Sequence, residues 1–440
     1  KSYINSFLLI KDDRIKTKVE QELEQGRLWP EPLIQFNPTF EKGRSIEQLS
    51  KDNIVDNGLN ACFKGFDLYR HQVEAIKKGV NEESFIVTSG TGSGKSLTFL
   101  ATIFSDLLKN QHASGVKAIL VYPMNALINS QEEEIKRYAE NYKNETQKDF
   151  PITFAKYTGQ ESGDERENTK NNPPDIILTN YMMLELIMTR ASERSMRTSI
   201  FENLKYLIFD ELHTYRGRQG ADVSLLIRRI QASSTNNLIC IGTSATMASG
   251  GTLQEQKLAV AKVGKQIFDK EFDVSQIVGE YLENTTTSSS VENTLVAKVL
   301  NENINTSGSP EQFINHPLAI WLENKIALKL LDDGTTQRAI PLTLSKIAEE
   351  LSQDTKTDIE LCRNKLVEFL KWAELLNEEA SKMNNRKSYL PFKFHQFIAQ
   401  TGNVSVTLEA PDQRQITLDN TLYTRDDETN EELFVYPVLF

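Results

Sequence analysis

The sequence predicts an α/β fold, a parallel sheet with helices on both faces, followed by a mainly helical region. Three observations predict it. Short apolar runs of strand character alternate with helix-forming stretches between residues 68 and 246. The first run breaks into a glycine loop that opens at once into a helix. Each later run ends in a polar cluster, and open parallel sheets carry their sites at the strands' C-terminal ends.

The first strand is Phe85–Val87, and the loop after it reads S-G-T-G-S-G-K-S, from Ser89 through Gly90, Thr91, Gly92, Ser93, Gly94 and Lys95 to Ser96. Glycines let a backbone turn its N–H groups inward, and the helix that follows, Leu97–Leu108, adds positive potential at its start. Such a loop cradles phosphates, with Lys95 reaching the β- and γ-phosphates of ATP and Ser96 ligating Mg²⁺. The strict pattern G-x-x-x-x-G-K-[ST] is not met, because Ser89 stands where its first glycine belongs. The competing reading is a plain Gly/Ser-rich connector between strand and helix.

Upstream, Leu68-Tyr69-Arg70-His71-Gln72 opens a helix running to about Lys78, and the Gln72 amide can offer both donor and acceptor to an adenine edge. Downstream, the strands are Lys117–Tyr122, Ile152–Tyr157, Asp175–Thr179, Leu204–Phe209 and Asn237–Thr243, with Gln160–Pro174 read as a polar loop. The fifth delivers Asp210-Glu211-Leu212-His213 and the sixth Ser244-Ala245-Thr246. Asp210 stands where a metal-holding acid is needed opposite Ser96, and Glu211 where a carboxylate can orient and deprotonate an attacking water. Taken alone, an Asp-Glu pair after a strand is more often a solvated turn. The phosphate loop before it and the Ser-Ala-Thr after it shift that balance.

Residues 68–246 resemble the first RecA-like domain of superfamily 2 DEAD/DEAH-box helicases, in which Ala or Ser commonly replaces the loop's first glycine. The resemblance rests on the Gln segment at Tyr69–Gln72, the loop at residues 89–96, Tyr122–Leu127, Thr158-Gly159, Leu178–Leu184, the D-E-L-H run and the S-A-T run. It implies a nucleic-acid track over Asn125, Thr158, Gly159, Thr179 and Asn180, with helix capping as the competing role for the Thr and Asn residues. It also implies coupling between nucleotide and strand through His213, Ser244 and Thr246. The stretch D-E-L-H-T-Y-R-G-R-Q-G-A-D-V-S-L-L-I-R-R is similar to bacterial DNA helicases of the mitomycin-repair type and to large helicases of phage-defence islands such as Druantia. DNA as partner, and other defence or repair proteins, follow from that resemblance. Arg216 and Arg218 within it fit either phosphate contacts or surface ion pairs.

Such helicases hydrolyse ATP between two RecA-like domains, one supplying arginines through Q-x-x-G-R-x-G-R, and no such motif follows Thr246. The expectation is half a motor, the N-terminal portion of an ATP-dependent DNA helicase or translocase. A P-loop ATPase that remodels protein and a nucleotide-binding scaffold without turnover are the alternatives.

At 440 residues the chain is long enough for two or three domains. The expected divisions are an N-terminal extension over 1–60, the RecA-like domain over 61–247 and a helical region over 248–340 with a flexible linker at Asn284–Ser290. A helix pair over 341–397, Thr343–Leu351 and Asp358–Leu376, with extended Tyr389–Phe397 behind it, resembles a winged helix, with a plain helical packing unit as the competing reading. A short β region over 398–440 ends in the apolar run Phe434–Phe440, which fits a chain cut from something longer. The formal net charge of −11 excludes a simple polycation, so nucleic acid must be met by a local groove. Cys62, Cys240 and Cys362 lie far apart, which points to neither a disulfide framework nor a zinc site and fits a reducing cytoplasm. No apolar run is long enough to cross a bilayer, and no signal peptide opens the chain.

Overall fold

The structure, a computed structural model, describes residues 12–24, 30–90, 92–110, 114–245, 252–331, 335–382, 388–396, 404–410, 413–417, 421–425 and 432–438. The chain divides into two compact units. One comprises residues 40–283 with 331–336; the other joins residues 1–39, 284–330 and 337–440.

The first unit is built on seven strands: β1 (Phe85–Thr88), β2 (Ala118–Val121), β3 (Phe154–Tyr157), β4 (Ile176–Thr179), β5 (Tyr206–Phe209), β6 (Ile239–Ser244) and β7 (Ile277–Gly279). Their order across the sheet is β7-β1-β6-β5-β2-β4-β3, and every pairing is parallel. This is the parallel α/β architecture that the alternating runs predict. Period-2 alternation sorts the strand residues onto two buried faces. Phe85, Val87, Leu120 and Ile241 face a core shared with helices α1 (Arg70–Val80), α2 (Lys95–Lys109) and α3 (Asn125–Thr146). Ile86, Ile119, Phe209 and Cys240 belong to the opposite core. That core takes in α5 (Tyr181–Thr189), α6 (Arg194–Asn203), α7 (Gly217–Ser233) and α8 (Leu253–Phe268).

Three features depart from the sequence reading. The polar stretch Gln160–Pro174 contains a helix, α4 (Gly163–Asn171), with no buried residue. It starts at a reciprocal cap between Ser162 and Glu165, and Arg166 and Lys170 tie it to the buried Glu193 carboxylate. The compact unit also continues past residue 247 to Glu283, because β7 adds a strand on the far side of β1. Finally, the extension over 1–60 is shared out. Ile46, Leu49, Val55 and Leu59 join the core beneath α2 and α3, whereas Leu33–Phe36 belongs to the other unit.

That second unit holds a three-stranded antiparallel sheet in which Leu33–Phe36 lies between Leu342–Thr343 and Phe392–His395. Helices α9 (Leu344–Thr355) and α10 (Ile359–Lys382) pack as a pair, with Leu366, Phe369 and Trp372 of α10 buried against Phe313 and Leu318. Asn284–Ser290, expected as a flexible linker, is tied down. Glu323, fully buried, accepts from Thr285 N at 2.6 Å, from Thr286 N at 2.8 Å and from Thr286 Oγ1 at 2.5 Å. A polar composition signals flexibility only where no buried acceptor collects the donors.

Candidate functional site

The strand order decides which polar clusters meet. β1, β6 and β5 are adjacent, so the glycine loop, Ser244 and the Asp210-Glu211 pair stand side by side at their C-terminal ends. β2, β4 and β3 are adjacent in the other half, which groups Asn125, Asn180 and Thr158.

In the first group the loop is fixed by its own short polar residues. Ser89 Oγ and Ser93 Oγ, both buried, share a hydrogen bond of 2.6 Å, and Ser89 N donates to Ser244 O at 3.2 Å. Gly92 and Gly94 take φ of +85° and +69°, a region that L side chains rarely adopt. A Cβ on Gly94 would also come within 2.5 Å of Gln72 Nε2. Gln72 is buried and bonded to protein through both ends of its amide, its Nε2 donating to Ser93 O at 3.0 Å and Gly94 O at 3.1 Å while its Oε1 accepts from Tyr69 N. The amide therefore braces the loop. Thr91 and Thr246 lie outside the described residues.

Lys95 Nζ donates to Ser89 O at 3.0 Å and lies 3.8 Å from Glu211 Oε1. Glu211 has left-handed backbone torsions (φ 53°, ψ 55°), which turn its side chain back over the sheet end. Its other oxygen lies 3.2 Å from His213 Nδ1, and the same nitrogen is 3.3 Å from Ser244 Oγ. His213 thus joins the D-E-L-H and S-A-T runs. Asp210 accepts from Thr243 Oγ1, which in turn accepts from Glu211 N at 3.1 Å. Burial pushes the Asp210 carboxyl above the ordinary aspartate range against the pull of the Thr243 hydrogen bond, and the Glu211 charge pushes the same way. A cation between Asp210 and the Ser96 hydroxyl would relieve that penalty, so the donor set fits a divalent ion shared with phosphate oxygens. Among the described residues no cluster of three or more His, Cys, Asp or Glu forms a closed metal cage. Magnesium needs none, since it keeps waters and phosphate oxygens as ligands.

In the second group Asn180 Nδ2 donates to Asn125 Oδ1 at 2.9 Å, while Asn180 Oδ1 caps α5 by accepting from Met183 N. Thr179, expected on the strand track, is fully buried, and its hydroxyl donates to Tyr157 O at 2.6 Å. It ties β4 to β3 and offers nothing to a ligand. Thr158 and Gly159 follow β3, and their N–H groups and the Thr158 hydroxyl converge on the carboxylate of Glu161. Arg216 and Arg218 are exposed at the start of α7.

Three site residues escape a reading of the sequence. Thr243 sits inside a strand run with no motif to mark it. Glu280, just past β7, accepts from Gly90 N at 3.0 Å and reaches the loop only because β7 pairs with β1. Glu161 is one acid in a polar stretch.

Residues 69–253 match the family model of the DEAD/DEAH box helicases. These residues form a DEAD/DEAH box helicase domain. The chain is 30% identical to an uncharacterized ATP-dependent helicase of Methanocaldococcus jannaschii over 236 residues, 53% of this chain and 32% of that protein. It is 24% identical to the Druantia protein DruE of Escherichia coli over 57% of this chain and 20% of that protein. Among solved structures, the DUF1998 helicase MrfA bound to DNA and AMPPNP aligns with 77% of this chain and 43% of its own, at 19% identity and a TM-score of 0.44. The chain therefore spans a fifth to a third of the length of these two relatives.

Proposed function

We propose that this chain is the N-terminal portion of an ATP-dependent DNA helicase or translocase, holding Mg-ATP at the glycine loop and a nucleic-acid strand at the β2-β4-β3 end of the sheet. The observation that carries the proposal is the division of the sheet's C-terminal edge into a phosphate-and-acid group and an amide-and-hydroxyl group, adjacent along one edge. The names of the curated relatives, ATP-dependent helicases among them, support the same reading.

Lys95 would exchange Ser89 O and Glu211 for phosphate oxygens, a charge-assisted contact stronger than a neutral one. Ser96 and Asp210 would hold Mg²⁺, whose charge offsets that building on the phosphates. Glu211, released from Lys95, would take the proton of the attacking water. His213, in reach of both Glu211 and Ser244, would report the state of that carboxylate to the end of β6. Asn125, Thr158, Gly159 and Asn180 would meet strand phosphates through neutral donors, which need no strongly basic surface. Turnover would depend on a second RecA-like surface bringing arginines to the γ-phosphate, a contribution on the order of 10³–10⁵ in rate. In α10, Lys365 is buried and paired with Glu368 at 3.0 Å, so that helix serves better as a packing element than as a duplex reader.

The test is ATPase activity with and without single-stranded DNA, on this chain and on a longer protein with a second RecA-like domain. Nucleotide binding by the short form and DNA-stimulated turnover only by the long one are expected. Nucleotide binding without DNA stimulation in either would sink the helicase reading in favour of a scaffold.

A further inference from the structure

The donors that would hold a strand phosphate are already gathered on a carboxylate of this chain. Glu161 Oε1 accepts from Thr158 N at 2.9 Å and from Thr158 Oγ1 at 2.6 Å, and Oε2 accepts from Gly159 N at 2.8 Å. Gly159 has φ +87°, the left-handed turn that swings successive N–H groups to one side and makes an anion-binding nest. A carboxylate and a phosphodiester present the same thing to such a nest, two oxygens sharing one negative charge.

We propose that Glu161 is an internal stand-in for a nucleic-acid phosphate, a residue that sets how strongly the Thr158–Gly159 nest takes a strand. The inference rests on the nucleic-acid reading above and adds a competitor to it. Glu161 is built to leave. The elements on either side of it are held independently: Tyr157 is buried with its hydroxyl on Glu193 at 2.6 Å, and Ser162 is engaged in the cap of α4. Glu161 is only half-buried between them, so a change of side-chain rotamer frees the nest while strand and helix stay in place. Both oxygens cannot be in the nest at once with a phosphate. While Glu161 is in place its charge also repels the incoming backbone. Binding of a strand therefore includes the cost of expelling the carboxylate, and only a strand held by further contacts can meet it.

The experiment is fluorescence anisotropy of a labelled single-stranded oligonucleotide with wild type, Glu161→Ala, Thr158→Val and the double variant. Binding of an ATP analogue checks the fold of each. Glu161→Ala is expected to bind the strand about tenfold more tightly, in the range that charge-assisted hydrogen bonds command. Thr158→Val in the Glu161→Ala background should remove the part of that gain that the hydroxyl carries, the Thr158 and Gly159 N–H groups remaining. Equal or weaker strand binding by Glu161→Ala, with nucleotide binding intact, would overturn the proposal and make the carboxylate an organiser of the turn. If Glu161→Ala also loses nucleotide binding, Glu161→Gln, which keeps one acceptor and drops the charge, decides between the two outcomes in the same way. No strand binding by any variant that still binds nucleotide would overturn the nucleic-acid reading itself.

Discussion

Lys95 Nζ and Glu211 Oε1 stand 3.8 Å apart, so the cation meant for phosphate oxygens and the carboxylate meant for water share one electrostatic environment. Any change to one is felt by the other. Glu211→Gln should leave nucleotide affinity equal or slightly raised, because Lys95 loses a competing partner. It should cut hydrolysis in a longer, turnover-competent protein by about 10²–10⁴, the range of a lost general base. Calorimetry and steady-state ATPase on the same preparations separate the two effects, and undiminished turnover would remove Glu211 from the chemistry.

Lys95→Ala and Gln72→Ala should fail differently. The first removes the charge that reaches phosphate and should cost nucleotide affinity about tenfold or more with little change in stability. The second strips two carbonyls of the glycine loop, on Ser93 and Gly94, of a buried donor. It should lower stability by about 1–3 kcal/mol as well as affinity. Thermal denaturation beside calorimetry distinguishes them. A Gln72→Ala protein of unchanged stability would mean that the amide does not brace the loop.

Glu161 gives a pH signature. Burial opposes its ionisation, but the hydrogen bonds from Thr158 and the backbone outweigh burial and hold its carboxyl below the ordinary glutamate range. A depressed folded-state value contributes stability that is complete above the unfolded value of about 4.3 and is lost as pH falls through the folded value. The stability difference between wild type and Glu161→Gln should therefore narrow on acidification below about pH 4. An NMR titration of the Glu161 side chain with a midpoint at or above the ordinary value would contradict this.

The sheet and the nucleotide half of the site were legible because both are local. β1, β2, β4, β5 and β6 are each built on an unbroken run of three or more apolar residues, and the loop at residues 89–96, Asp210 and Ser244 follow closely on such runs. What stayed hidden depends on distant partners. β7 is three residues long and has meaning only beside β1. Leu33–Phe36 finds its partners at Leu342 and Phe392, more than 300 residues away, beyond any local pattern. α4 buries nothing, so it carried no periodicity, although S-x-x-E at Ser162–Glu165 was a usable start signal. Thr179 shows the reverse error. The helicase resemblance put it on the nucleic-acid track, whereas it is the last residue of β4 and the register puts it wholly inside.

The Thr285–Thr286 segment offers a check on the second unit by itself. Glu323→Ala would leave two N–H groups and a hydroxyl without their acceptor in a buried place. A loss of about 2–4 kcal/mol is expected, with Glu323→Gln recovering part of it. Chemical denaturation of the two variants measures it, and a loss within error of zero would return the segment to the status of a loose connector.

The position of β7 also bears on how the protein comes off the ribosome. Gln276 Nε2 donates to Ser84 O and Thr88 Oγ1 to Val278 O, across 192 and 190 residues of sequence. The strand that carries the glycine loop thus remains a bare sheet edge until nearly two hundred later residues have been made. At a synthesis rate of roughly 5–20 residues per second that interval is about ten to forty seconds. For that time the nascent chain presents an apolar, unpaired β1 edge, the kind of surface that chaperones capture and that aggregation begins from. The nucleotide loop is written early in the chain and finished late.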